Sequence, residues 1–160
     1  MVEFSLVGLG LVFVLISIFE MARGMWVYHT LAHVSKEATR FLIVRGSECQ
    51  DKSGCIASAQ LGALATKLAQ EGVGLDPNNF SIQVFRDGTQ VVGSSGSYVT
   101  VQSLSGSTTV WDSIAKKGAF VSVNVRYPFR SAIAMFWPGN KGQVFGVFNL
   151  GASSQDTIQF

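Results

Sequence analysis

Charge is scarce in this chain: Asp, Glu, Lys and Arg make up 14% of its 160 residues, roughly half the share usual in a soluble domain. Set beside 48% hydrophobic residues, that scarcity excludes a disordered chain and an ordinary cytosolic globule. Neither sign dominates. Twelve cations against ten acids leave a net +2, too weak and too scattered for the electrostatic footprint of a nucleic-acid binder. Histidine is nearly absent, with two in all, and no Gly-x-Ser-x-Gly elbow, phosphate loop or dinucleotide fingerprint occurs. With the conventional catalytic constellations missing, we expect no enzyme, no cofactor and no nucleic-acid partner. The length allows one compact domain plus one long element, which argues against a multidomain enzyme.

What the chain has is one long apolar run. Phe4 to Phe19 reads FSLVGLGLVFVLISIF without a charge, closed by Glu3 and Glu20. Leu, Ile, Val and Phe each favour insertion at the bilayer centre by roughly 0.3 to 0.6 kcal/mol, enough together to outweigh Ser5, Gly8, Gly10 and Ser17. At about 1.5 Å per residue the run covers ~24 Å, a little short of the ~30 Å hydrocarbon core, which puts the flanking glutamates near the interfaces. A cleaved secretory signal is the rival reading. It lacks a basic n-region, and Glu20-Met21-Ala22-Arg23 stands where a small-x-small cleavage site belongs. Helical character continues without a Pro or a Gly pair until Gly46, so the pattern predicts one helix over 2–45, ~65 Å long. In its second half Val27, Leu31, Val34, Ala38 and Phe41 form one apolar stripe, with His29, His33, Lys36 and Arg40 facing elsewhere. The first half therefore wants lipid or other helices, and the second wants a domain to lean on.

The remainder reads as a small head. Residues 1–46 make the helix, apolar half plus amphipathic stem, and 47–160 the globular part, so the fold class is α+β. Cys49 and Cys55, the only cysteines, lie in a polar, turn-rich stretch; a short-loop disulfide is expected if the membrane segment implies export to an oxidising compartment. Ile56 to Gln70 is Ala- and Leu-rich, with Ile56, Ala59, Ala63, Leu64 and Leu68 roughly on one face, and predicts a short amphipathic helix packed on a sheet. Beyond Asp76-Pro77-Asn78 the period turns to two. Phe80 to Phe85, Tyr98 to Val101, Val121 to Tyr127 and Val144 to Leu150 predict four antiparallel strands with one covered face. Val110 to Lys117 predicts a short helix, and the Gly/Ser stretch around Ser95 a loop.

The charged residues around the apolar run carry information of their own, because an ionisable group in or beside hydrocarbon is costly enough to need a partner. For Glu20 the partner is Arg23 one turn on, Arg23 of a neighbouring chain, or water reached by snorkelling. Glu3 has no basic residue near it in sequence. A free N-terminal ammonium, its own or another subunit's, would satisfy it, and the second choice asks for assembly. His29, His33 and Glu37 recur at i, i+4 and i+8, but three ligands strung along a helix face reach one ion only with difficulty, so no metal site is expected. Asn79-Phe80-Ser81 fits the glycosylation triplet, a pattern that arises often by chance.

Met1-Val2-Glu3-Phe4-Ser5-Leu6-Val7, the apolar run, and Ile18-Phe19-Glu20-Met21-Ala22-Arg23 together resemble the N-terminal segment of TadE-like proteins, the pilin-like family of tight-adherence (type IVc) pilus systems. Leu31-Ala32-His33 and Lys36-Glu37-Ala38-Thr39-Arg40 are similar to the continuation of that helix, and Val121 to Arg130 resembles the family's strand and Tyr-Pro-Phe turn. The resemblance covers about the first 45 residues and a patch at 120–130. It implies a precursor cut by a prepilin peptidase after a basic leader ending in Gly, with the pilin glutamate mapping onto Glu3. That glutamate usually stands at the fifth mature position. Here it is third, which implies that the chain starts inside the mature protein or is processed at a different bond.

Both lines lead to one expectation. A marginally long apolar helix with an acid at each end can be held in the inner membrane, then withdrawn into a helix bundle where neighbouring subunits replace lipid and satisfy the acids. The expected function is a structural subunit of an extracellular tight-adherence filament on the bacterial surface, serving attachment. Glu3, Phe4, Glu20 and Arg23 would direct assembly, and Leu6, Leu9, Leu11, Phe13, Leu15 and Phe19 would fill the filament core. The implied partners are further copies of the chain, the inner membrane, the prepilin peptidase and the assembly machinery. The alternatives are a minor or tip pseudopilin, or a signal-anchored protein with a binding head that does not polymerise.

Overall fold

A computed structural model describes residues 2–45, 60–93, 95–107, 111, 117–131 and 147–159. Its dominant element is α1, Val2–Ile43, unbroken over 42 residues and therefore ~63 Å long. The end of α1 is tied down on several sides, which answers the carbonyls that a helix terminus leaves open. Arg45 donates from its backbone N–H to the Leu42 carbonyl at 3.3 Å and from its guanidinium to the Phe41 carbonyl at 3.1 Å. That guanidinium also lies over the Phe41 ring at 3.6 Å. Burial lowers its pKa from the ordinary value, but a guanidinium starts so high that it stays charged near neutrality. The fully buried Trp111 adds a third tie, its indole N–H donating to the Leu42 carbonyl at 3.0 Å.

After α2 (Leu61–Glu71) the chain builds an antiparallel sheet from β1 (Ser81–Arg86), β2 (Thr89–Val92), β3 (Val99–Thr100), β4 (Phe120–Arg130) and β5 (Val147–Thr157), with a single helical turn, α3 (Val101–Leu104), following β3. The order is β2-β1-β4-β5, and β3 also pairs with β1. Eleven residues of β4 pair in unbroken register with β5, from Phe120 opposite Thr157 to Arg130 opposite Val147. Strands β1 and β2 are joined by Asp87-Gly88, both at positive φ (46° and 80°), the conformation that a two-residue hairpin of matching twist demands. Asp87 then fastens the hairpin to β4: its carboxylate accepts from the Phe120 N–H at 2.8 Å, and its own N–H donates to the Phe120 carbonyl at 2.9 Å.

One core joins these parts. The expected α1 stripe of Val27, Leu31, Val34, Ala38 and Phe41 is buried, packed with Ile82 and Val84 of β1 and Val121, Val123 and Val125 of β4. The layer lying on the sheet is α1 itself, against β4 and β5, while α2 has its nearest neighbours in α1 and α3. Small residues let helix and strand approach closely: Ser35, Ala38 and Thr39 are buried on α1, and the Thr39 hydroxyl reaches the Ser35 carbonyl at 2.9 Å and the Ser154 carbonyl of β5 at 3.4 Å.

The elements depart from the sequence expectations in identifiable places. Strand β2 is an addition to the expected four, and β5 runs on to Thr157 where the apolar pattern stops at Leu150. On α2 the inward residues are Leu61, Leu64, Ala65 and Leu68, while Ala63 points outward, because the true period places 61, 65 and 68 on one side. Ile56, Ala59, Cys49, Cys55 and most of the expected helix at 110–117 lie outside the described residues.

Candidate functional site

The first half of α1 touches almost nothing. Eleven large apolar side chains between Phe4 and Phe19, among them Leu6, Leu9, Leu11, Phe13 and Leu15, are exposed by 47% to 84%. Full burial is worth roughly 1.5–3 kcal/mol for each such side chain, so on the order of 20 kcal/mol opposes leaving them in water. The exposure runs round the whole helix instead of along one stripe, which calls for apolar surroundings on every side. The helix is long and apolar enough to cross a membrane. Glu3 is exposed near its start.

At the other end of this segment helix and head are joined by one side chain. Arg23 pairs with Glu20 one turn back at 3.4 Å, so the own-chain partner is the one present. Its guanidinium also lies over the Phe129 ring at 4.5 Å and donates to the Arg130 carbonyl. Two of these interactions, with the Phe129 ring and the Arg130 carbonyl, tie α1 to β4 where the apolar helix leaves the head, while the pair with Glu20 lies within α1.

Beside Arg23 opens a cleft of about 320 Å³, lined by Arg23 and Trp26 of α1, Gly74 and Asn79 of the loop after α2, and Phe129 and Arg130 of β4. Among these, the sequence marks Arg23 as an assembly residue, Asn79 only within a glycosylation triplet, and Phe129 and Arg130 only within the Tyr-Pro-Phe stretch. Trp26 and Arg130 carry a signal, an exposed aromatic beside the apolar run and a basic residue closing the Tyr-Pro-Phe stretch, but only the fold brings them together across more than a hundred residues. The loop is held by Asp76, whose carboxylate accepts from the Asn78 N–H at 3.0 Å and from the Asn79 side-chain amide at 2.7 Å.

His29 and His33 are exposed on α1. The third member of that triplet, Glu37, is taken up by Arg40 at 3.0 Å and by Lys67 of α2 at 3.6 Å. Among the described residues no group of three His, Cys, Asp or Glu gathers as a metal site. The disulfide expected between Cys49 and Cys55 falls outside the described residues.

Comparison with known proteins bears on the helix alone. No curated protein sequence and no solved structure matches the chain. Residues 1–40 match the family model described as TadE-like protein; the N-terminal helix, with Glu3, the apolar run, Glu20 and Arg23, is thus similar to that family over a quarter of the chain, which suggests a pilus-associated protein.

Proposed function

We propose that this chain is a structural, non-enzymatic subunit of an extracellular tight-adherence filament, anchored in the inner membrane by α1 until it is assembled. The observation that carries the reading is the girth of apolar surface on Phe4 to Phe19, exposed on all sides. Lipid covers such a surface before assembly, and the same segments of neighbouring subunits cover it afterwards, so transfer from one to the other exposes little of it to water. A contact made by unlike patches of successive copies does not close on itself and generates a helical fibre. In that fibre Leu6, Leu9, Leu11, Phe13, Leu15 and Phe19 form the core, the heads form the coat, and Glu3 sets the axial register by pairing with an ammonium of an adjacent chain. The TadE-like match over residues 1–40 supports a pilus-assembly context, and the partners this reading assigns are a prepilin peptidase and the assembly machinery.

The test is Glu3→Ala in the producing cells. The variant should stay in the membrane fraction at the wild-type level and yield at least tenfold less sheared filament, measured by quantitative immunoblot. Wild-type filament yield from the variant contradicts the register role. Absence of the unaltered chain from sheared filaments contradicts the subunit reading and leaves a membrane-anchored head.

A further inference from the structure

The stem of α1 carries two groups that have no part in assembly. Val27, Leu31, Val34 and Ala38 turn one side of the stem into the shared core, and His29 and His33 stand on the other side, both exposed. Neither imidazole enters a hydrogen bond or an ion pair, and the His29 ring meets that of Tyr28 edge-on, 6.0 Å between centroids. Glu37 does not join them, because Arg40 and Lys67 hold its carboxylate at 3.0 Å and 3.6 Å. Lys36, one turn beyond His33, is exposed, so its ammonium extends into water on a flexible stem. What remains is a pair of imidazoles in place of the row of three ligands.

Residues four apart on a helix face the same way, with about 5–6 Å between their Cβ atoms. Metal–nitrogen bonds of about 2 Å let two such imidazoles close on one ion, as a His-x-x-x-His helix does in zinc sites. The backbone between them is already ordered, since the opposite side of the stem is packed in the core, so binding has no chain entropy to overcome. Imidazole nitrogens suit the late divalent transition metals, and among these Cu2+ binds such ligands most tightly.

We infer that His29 and His33 chelate a single divalent transition-metal ion, Cu2+ foremost, on the side of α1 turned away from the sheet. The two imidazoles fill part of the coordination sphere and water fills the rest. Both ligands belong to one helix of one chain, so the site does not depend on filament assembly.

The test uses the untagged full chain in neutral detergent, its free thiols alkylated, titrated with Cu2+ at about pH 7.5, where imidazole is neutral. Binding is counted above that of the His29→Gln, His33→Gln double variant, which sets the background from other groups. Electron paramagnetic resonance at one equivalent should show two imidazole nitrogens on the ion, and His29→Gln or His33→Gln alone should weaken binding at least tenfold. A further variant, His33→Lys with Lys36→His, keeps two imidazoles and the same charge but sets them ~10.5 Å apart along the helix; it should bind no better than either single substitution. Lowering the pH to about 5.5 protonates both imidazoles and should also weaken binding at least tenfold. Far-ultraviolet circular dichroism checks that the helix is unchanged in each variant. Wild-type affinity in a single variant or in the spaced variant overturns the chelate, and so does a spectrum with one nitrogen or binding indifferent to pH.

Discussion

Beside the shared core, two side chains distant in sequence tie α1 to the head, and each makes a separable prediction. Trp111 fills the core and donates to the Leu42 carbonyl at 3.0 Å. Trp111→Ala should destabilise the head by about 3–5 kcal/mol, as a large aromatic lost from a core does. Trp111→Phe keeps most of the volume and should cost about 1–2 kcal/mol, mainly the hydrogen bond. Urea unfolding in neutral detergent, followed by near-ultraviolet circular dichroism, distinguishes the two; equal losses would show that volume matters little here. Arg23 differs because it acts through geometry. The guanidinium stands over the Phe129 ring at 4.5 Å while its N–H groups reach Glu20 and the Arg130 carbonyl, a set of contacts that an ammonium cannot reproduce. Arg23→Ala should cost about 1–2 kcal/mol, and Arg23→Lys should recover less than half of it in the same measurement. Full recovery by Lys would reduce the junction to a point charge.

At the scale of elements, the close approach of α1 to β5 is the feature on which the head depends. Thr39 is buried against Ser35 and Ser154, and interiors packed this tightly do not admit extra methylenes without strain. Thr39→Leu should therefore destabilise the head by about 1–3 kcal/mol, read as a lower urea midpoint with an unchanged slope; an unchanged midpoint would mean that helix and strand are free to move apart. The same packing makes β5 illegible past Leu150 in the sequence. Its inward positions are Ala152 and Ser154, small because the helix is near, and its outward ones are Ser153 and Gln155, so no apolar alternation marks the strand. Strand β2 is legible in principle. Asp87-Gly88 is a strong hairpin signal, but only four residues follow it and the period-two pattern is too short to stand out. By contrast, α1 and its stripe are plain, because a 3.6-residue repeat sustained over about four turns arises from little besides an amphipathic helix.

For the whole molecule, the division of α1 organises everything else. Its second half shares a core with the sheet, and its first half carries eleven exposed large apolar side chains. That contrast is readable from hydropathy alone, and the Glu20–Arg23 pair is among the partners that one turn of helix permits. The cleft is not readable: Trp26 and Arg130 line one cleft only because β4 packs against α1. A rigid junction of this kind gives every subunit the same angle between helix and head, which a regular fibre needs if each copy is to make the same contacts.

Electron microscopy of filaments sheared from the producing cells, at a resolution that shows side chains, decides between a filament subunit and a membrane-anchored head. We expect this sequence repeated along the fibre, with Phe4 to Phe19 at the axis, Arg23 against Phe129 in every copy, and the sheets outermost. Fibres built from a different sequence, with this chain retained in the membrane fraction, would rule out the subunit role.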